Sequence, residues 1–100
     1  MTKRLDSITP GEILRDEFMV EYDLSQNRLA LGLNVPASIV NRVVNNKLRI
    51  TAGMALRLAR YFGTTAQFWM NLQTSYDLRV AEREKWAHVR DTVSPVRKTA

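Results

Sequence analysis

Residues 25–46, Ser25-Gln26-Asn27-Arg28-Leu29-Ala30-Leu31-Gly32-Leu33-Asn34-Val35-Pro36-Ala37-Ser38-Ile39-Val40-Asn41-Arg42-Val43-Val44-Asn45-Asn46, contain two short helical patterns separated by a tight turn. Ser25 has the side-chain oxygen that an N-cap needs. Leu29, Ala30 and Leu33 give the first helix an apolar face, and Asn34, which tolerates the left-handed conformation, ends it. Val35-Pro36-Ala37-Ser38 opens the second helix, where Val40, Val43 and Val44 share one face. Ala37, Ser38, Asn41, Arg42 and Asn45 fall largely on the other face, which is polar and small. A turn this short makes the helices cross steeply, the arrangement that offers the second helix to the major groove of DNA.

If the second helix enters a groove, its outer residues must touch base edges. Asn41 suits bidentate pairing with adenine, Arg42 suits guanine or a phosphate, Ser38 can donate or accept, and Ala37 and Ile39 suit thymine methyl groups. Ala37, Ser38, Ile39, Asn41 and Arg42 are therefore the expected base-reading set. Gln26, at the start of the first helix, and the polar loop of Asn45, Asn46, Lys47 and Arg49 are expected to hold the DNA backbone and fix the register of the reading helix. A solvated polar face is the plain alternative for each of these positions.

Outward from this unit the chain continues as helices. Toward the N-terminus, Thr9-Pro10-Gly11-Glu12 has the form of a capping box, and Ile13, Leu14, Phe18 and Tyr22 supply an apolar stripe, so a helix is predicted to about Tyr22. Toward the C-terminus, Thr51 caps a helix whose stripe is Ala55, Leu58, Ala59 and Phe62 and which Gly63 stops. Thr64-Thr65-Ala66-Gln67 opens the last helix. It runs to about Val89 either unbroken or interrupted near Thr74-Ser75, whose helix propensity is poor. Phe68, Trp69, Met70, Leu72, Tyr76, Leu78, Val80 and Trp86 exceed what one face of a terminal helix buries in a small domain. Trp69, Met70, Tyr76 and Trp86 are accordingly expected at the interface of a two-fold homodimer, with burial by the helix folding back on its own chain as the alternative.

The expected fold is all-α: a five-helix, lambda-repressor-like domain with an extended C-terminal helix, spanning residues 9–91 between an N-terminal extension (1–8) and a flexible basic tail (92–100). A 100-residue chain with 45% hydrophobic residues suits one such unit. The net charge of +5 favours an anionic partner. There is no cysteine, no stretch near the roughly 20 apolar residues of a membrane span, and no apolar leader pattern, so a cytoplasmic protein without membrane contact is expected. His88 is the single histidine. It lies near a predicted helix end, where it reads as solvated or interacting with the helix C-terminus, and no phosphate loop or nucleophile motif occurs, so neither enzyme nor cofactor site is expected.

The run Pro10-Gly11-Glu12-Ile13-Leu14-Arg15-Asp16-Glu17-Phe18, the segment Leu24-Ser25-Gln26-Asn27, and the block from Ile50-Thr51-Ala52 through Ala55-Leu56-Arg57-Leu58-Ala59-Arg60-Tyr61-Phe62-Gly63-Thr64-Thr65 together carry a resemblance. With Phe68-Trp69-Met70-Asn71-Leu72-Gln73 and Tyr76-Asp77-Leu78-Arg79 behind them, the chain closely resembles the HigA family of antitoxins, within the Cro/C1-type (XRE) helix-turn-helix proteins, over about residues 9–82. The resemblance implies a homodimer that binds double-stranded operator DNA of its own toxin–antitoxin operon, represses it, and neutralises a RelE-like mRNA-cleaving toxin by direct contact. By position it places Gln26, Ala37, Ser38, Asn41 and Arg42 at the DNA-facing sites, and Asn45 and Lys47 at backbone-contacting ones. Asn34 and Asn46 stand where relatives carry glycine. A stand-alone regulator, or an interaction module using the helix-turn-helix as scaffold, remain the alternatives.

Overall fold

The computed structural model describes residues 8–97. Five helices follow one another, with no strand among the described residues. The first, α1, begins as an α-helical turn, Pro10–Ile13, and continues as a π-helix, Leu14–Met19. Then come α2 (Gln26–Leu33), α3 (Ala37–Val44), α4 (Ala52–Phe62) and α5 (Ala66–Thr92).

The helix starts follow from side-chain caps. Thr9, Ser25, Thr51 and Thr65 each accept, through the side-chain hydroxyl, a hydrogen bond from the backbone N–H three residues on. α3 lacks such a cap and starts instead from Pro36, whose fixed φ of −62° sets up the first turn.

The ends share one device. Asp23, Asn34, Asn46 and Gly63 are the described residues with positive φ, between 53° and 73°. Around Asn34, Val35 N–H donates to Ala30 O and Asn34 N–H to Leu31 O; around Asn46, Lys47 N–H donates to Arg42 O and Asn46 N–H to Val43 O. Both are Schellman closures that satisfy the last carbonyls of a helix. Asp23 closes α1 in the same way, with Leu24 N–H on Met19 O and Asp23 N–H on Val20 O. Asparagine and aspartate fill three of these four positions because a short polar side chain lowers the cost of the left-handed region.

α1 differs from its sequence-based expectation. Over Leu14–Met19 the hydrogen bonds reach five residues back, as from Val20 N–H to Arg15 O at 3.0 Å. The wider turn brings Met19 beneath Leu14, and both are buried, whereas Tyr22, expected in the stripe, is 57% exposed beyond the end of the helix.

The core is contiguous. Leu14 and Met19 of α1, Leu29, Ala30 and Leu33 of α2, Val40, Val43 and Val44 of α3, Ile50, Ala55 and Leu58 of the α3–α4 region, and Trp69 of α5 are all buried. Gly11 lets α1 approach closely: a Cβ there would lie 2.4 Å from Val43 O and 2.5 Å from Val44 O, so the start of α1 rests on the end of α3.

Trp69 corrects the interface expectation. It is 0% exposed, its ring packs on Phe18, Phe62 and Phe68, and its indole N–H donates to Thr64 Oγ1 at 2.7 Å. It belongs to this chain's own core and offers no surface to a second copy. The last helix is continuous for 27 residues, so Thr74-Ser75 does not interrupt it. From Glu82 to Arg97 every residue is exposed. The expected extension 1–8 lies outside the described residues except for Ile8, as do residues 98–100 of the expected tail. Among the described residues, no helix is long and apolar enough to cross a membrane.

Candidate nucleic-acid interface

The geometry of α2, its turn and α3 decides which side chains face outward. Val40, Val43 and Val44 are buried and fix one face of α3 inward; Ala37, Ser38, Asn41, Arg42 and Asn45 are all exposed on the other. Ile39 departs from the expected base-reading set. It is half-buried and packs against the core, because it lies one turn before Val43 on the flank of the apolar stripe.

Two helices meet at the tip of this face. Asn41 Nδ2 donates to Gln26 Oε1 at 3.0 Å, joining the first residue of α2 to the middle of α3. The bond leaves Asn41 Oδ1 and the amide hydrogens of Gln26 available outward, so a base edge and a phosphate can be approached by one connected pair of amides. Asn45 Nδ2 donates to Asn41 O at 2.9 Å and ends α3 on its solvent side.

The loop after α3 is fixed from behind by α5. Asn46 Nδ2 donates to Tyr76 Oη at 2.9 Å, and Arg49 pairs with the Asp77 carboxylate. Buried Gln73 accepts from Ile50 N–H at 2.7 Å and donates to the other Asp77 oxygen at 2.9 Å. Of the expected backbone-contacting residues, Gln26, Asn45 and Lys47 border α3, while Asn46 and Arg49 are tied to α5. Nothing in the residue pattern signals this brace, since a glutamine within a helix ordinarily reads as solvated. Arg57 of α4 donates from Nη1 to Leu33 O at 2.8 Å and closes the end of α2.

Charge is distributed to match. No Asp or Glu occurs between Asp23 and Asp77, while Arg28, Arg42, Lys47, Arg49, Arg57 and Arg60 all fall in that span. An unbroken run of cations over the helix-turn-helix and α4 gives this part of the molecule a positive potential, as a polyphosphate partner requires. Of the expected dimer residues, Met70 and Tyr76 are half-buried and Trp86 is 54% exposed. No group of three or more potential metal ligands occurs among the described residues.

The Helix-turn-helix family model matches residues 16–69. Virulence-associated protein I of Dichelobacter nodosus is 49% identical over 81 residues, covering 81% of this chain and 75% of that protein. The solved structure of Pseudomonas aeruginosa antitoxin HigA with the higBA promoter superposes with a TM-score of 0.86 at 48% identity, over 90% of this chain and 98% of that one. The chain belongs to the HigA-like helix-turn-helix family. A further HigA-like structure, antitoxin GraA in complex with its operator, gives a TM-score of 0.87 at 38% identity over 98% of this chain and 99% of that one. HigA-like proteins are DNA-binding regulators and antitoxins, not enzymes.

Proposed function

We propose that this protein is a transcriptional repressor and antitoxin that binds the operator of its own operon as a homodimer and neutralises a RelE-like, mRNA-cleaving toxin. The observation that carries the DNA-binding part is the exposed polar face of α3, joined to the start of α2 through the Asn41–Gln26 hydrogen bond. In this reading α3 lies in the major groove. Asn41 and Arg42 make the principal base contacts, and Ala37 and Ser38 fit close to the base edges. Gln26, Asn45 and Lys47 contact the backbone, and Asn46 and Arg49, held by α5, fix the loop that presents them.

A homodimer places two α3 helices about 34 Å apart, one turn of DNA, and thereby multiplies the few base contacts each can make. Leu78, Trp86 and Val89, which are exposed on α5, with Met70 and Tyr76 at its half-buried edge, are the surface proposed for that contact. The antitoxin part is supported by the family, whose solved members include the two antitoxins described above.

A mobility-shift titration on the protein's own upstream region, with and without the product of the adjacent gene, tests the whole reading. A salt-sensitive, sequence-selective complex that the adjacent product alters, and co-purification of that product with the protein, are the expected results. Binding that the adjacent product neither alters nor joins would make the protein a stand-alone regulator. Absence of selective binding would remove the operator reading altogether.

A further inference from the structure

Asp77 is the residue that ends the acid-free stretch of the chain, and the fold places its carboxylate on Arg49, in the loop that follows α3. The placement is built rather than incidental. One carboxylate oxygen is held by Gln73 Nε2 at 2.9 Å, and Gln73 is itself fixed because its carbonyl accepts from the buried Ile50 N–H at 2.7 Å. A carboxylate anchored in this way presents its second oxygen to the guanidinium much as a DNA phosphate would. The pair faces solvent, with the Arg49 and Asp77 side chains 60% and 40% exposed, so water and counterions screen it and a competing phosphate can reach it.

From this geometry we infer that Asp77 is a specificity-determining residue: it occupies Arg49 in place of a phosphate and so limits sequence-independent attachment to DNA. Arg49 lies two residues beyond Lys47, on the cationic side of the molecule, where a free guanidinium would add a backbone contact to any duplex. A phosphate that took Arg49 would also leave the Asp77 carboxylate unpaired beside it, a like-charge cost incurred on every sequence. Base-edge contacts from α3 do not incur this cost. Their share of the total affinity therefore rises, and discrimination between operator and bulk DNA rises with it.

The inference rests on the proposal that this chain binds DNA through α3, and the test separates the two. Full-length protein is titrated by fluorescence anisotropy onto its own upstream region and onto a random-sequence duplex, between roughly 50 and 200 mM salt, where phosphate contacts dominate the slope. Asp77→Asn keeps an oxygen that accepts from Gln73 and releases Arg49. It is expected to bind the random duplex roughly tenfold tighter at low salt, with a slope of log affinity against log salt steeper by about 0.9, the signature of one added phosphate contact.

Combining it with Arg49→Ala is expected to abolish the gain. Arg49→Ala alone loosens the loop that carries Lys47 and is expected to weaken operator binding, without making the salt slope shallower by the increment of one phosphate contact. A slope unaltered by Asp77→Asn overturns the inference, as does a gain that persists without Arg49, which would be a general charge effect. A shallower slope for Arg49→Ala alone also overturns it, since Arg49 would then be an ordinary phosphate clamp. Failure of the wild-type protein to bind either duplex would instead overturn the DNA-binding proposal on which the inference stands.

Discussion

Trp69 and Trp86 stand on the same helix in opposite environments. Trp69 is fully enclosed by Phe18, Phe62 and Phe68, whereas Trp86 is 54% exposed on a stretch of α5 in which every described residue from Glu82 onward is exposed. The helix does not change between them; what holds it does. Up to about Ala81, α5 is held by burial and by the hydrogen bonds of Gln73, Tyr76 and Asp77 to the loop after α3. From Glu82 onward it is held by the propensity of Glu, Arg, Lys and Ala and by local pairings such as Arg90 with Asp91. A helix with so little burial is marginal in water, so the second half is the part of the molecule that gains most from a partner.

The contrast can be broken most forcefully at Trp69. Trp69→Ala removes the largest core side chain together with its ring contacts and is expected to cost about 3–5 kcal/mol, a large share of a small domain's stability, in chemical denaturation. A cost below about 1 kcal/mol would mean that the aromatic cluster does not anchor α5. Gln73→Leu comes next. It strands the Ile50 N–H in the core and is expected to cost about 1–3 kcal/mol, with faster hydrogen exchange at that amide. Trp86→Ala should be the mildest in stability, within about 0.5 kcal/mol for the monomer. If the proposed dimer forms through the second half of α5, the same change weakens it in sedimentation equilibrium, and an unchanged dimer would remove Trp86 from the interface.

These two tryptophans also mark what the sequence could and could not disclose. That the apolar residues of α5 exceed what one face of a terminal helix buries is legible in the sequence. Where the core ended along the helix could not be read, because it depends on Phe18 and Phe62 arriving from elsewhere in the chain. Helix limits were legible wherever a single residue sets them, as at Ser25 and Thr51 for starts and Asn34 and Gly63 for ends, whereas the last helix is capped by Thr65, one residue beyond the Thr64 that a capping box over Thr64-Thr65-Ala66-Gln67 predicts. The π-helical part of α1 was not, since a five-residue hydrogen-bond register leaves no propensity signal, and the exchange of Tyr22 for Met19 in the core followed from it.

The outer face of α3 was legible from periodicity, apart from the lean of Ile39 toward the core. The Asn41–Gln26 bond and the brace from α5 onto Asn46 and Arg49 join positions distant in sequence and became visible only in three dimensions. They make α3 part of a fixed frame, so the orientation of Asn41 and the position of the α3–α4 loop are set within the fold itself, as the proposed readout of DNA requires.

The most direct test of this account is the base preference of Asn41→Ala, measured by anisotropy on the protein's own upstream region and on duplexes substituted at each operator position. Direct readout through α3 predicts a loss of about 1–3 kcal/mol confined to the operator, with relaxed discrimination at one base pair and unchanged affinity for random DNA. An equal loss on every sequence, or no loss on any, would contradict it.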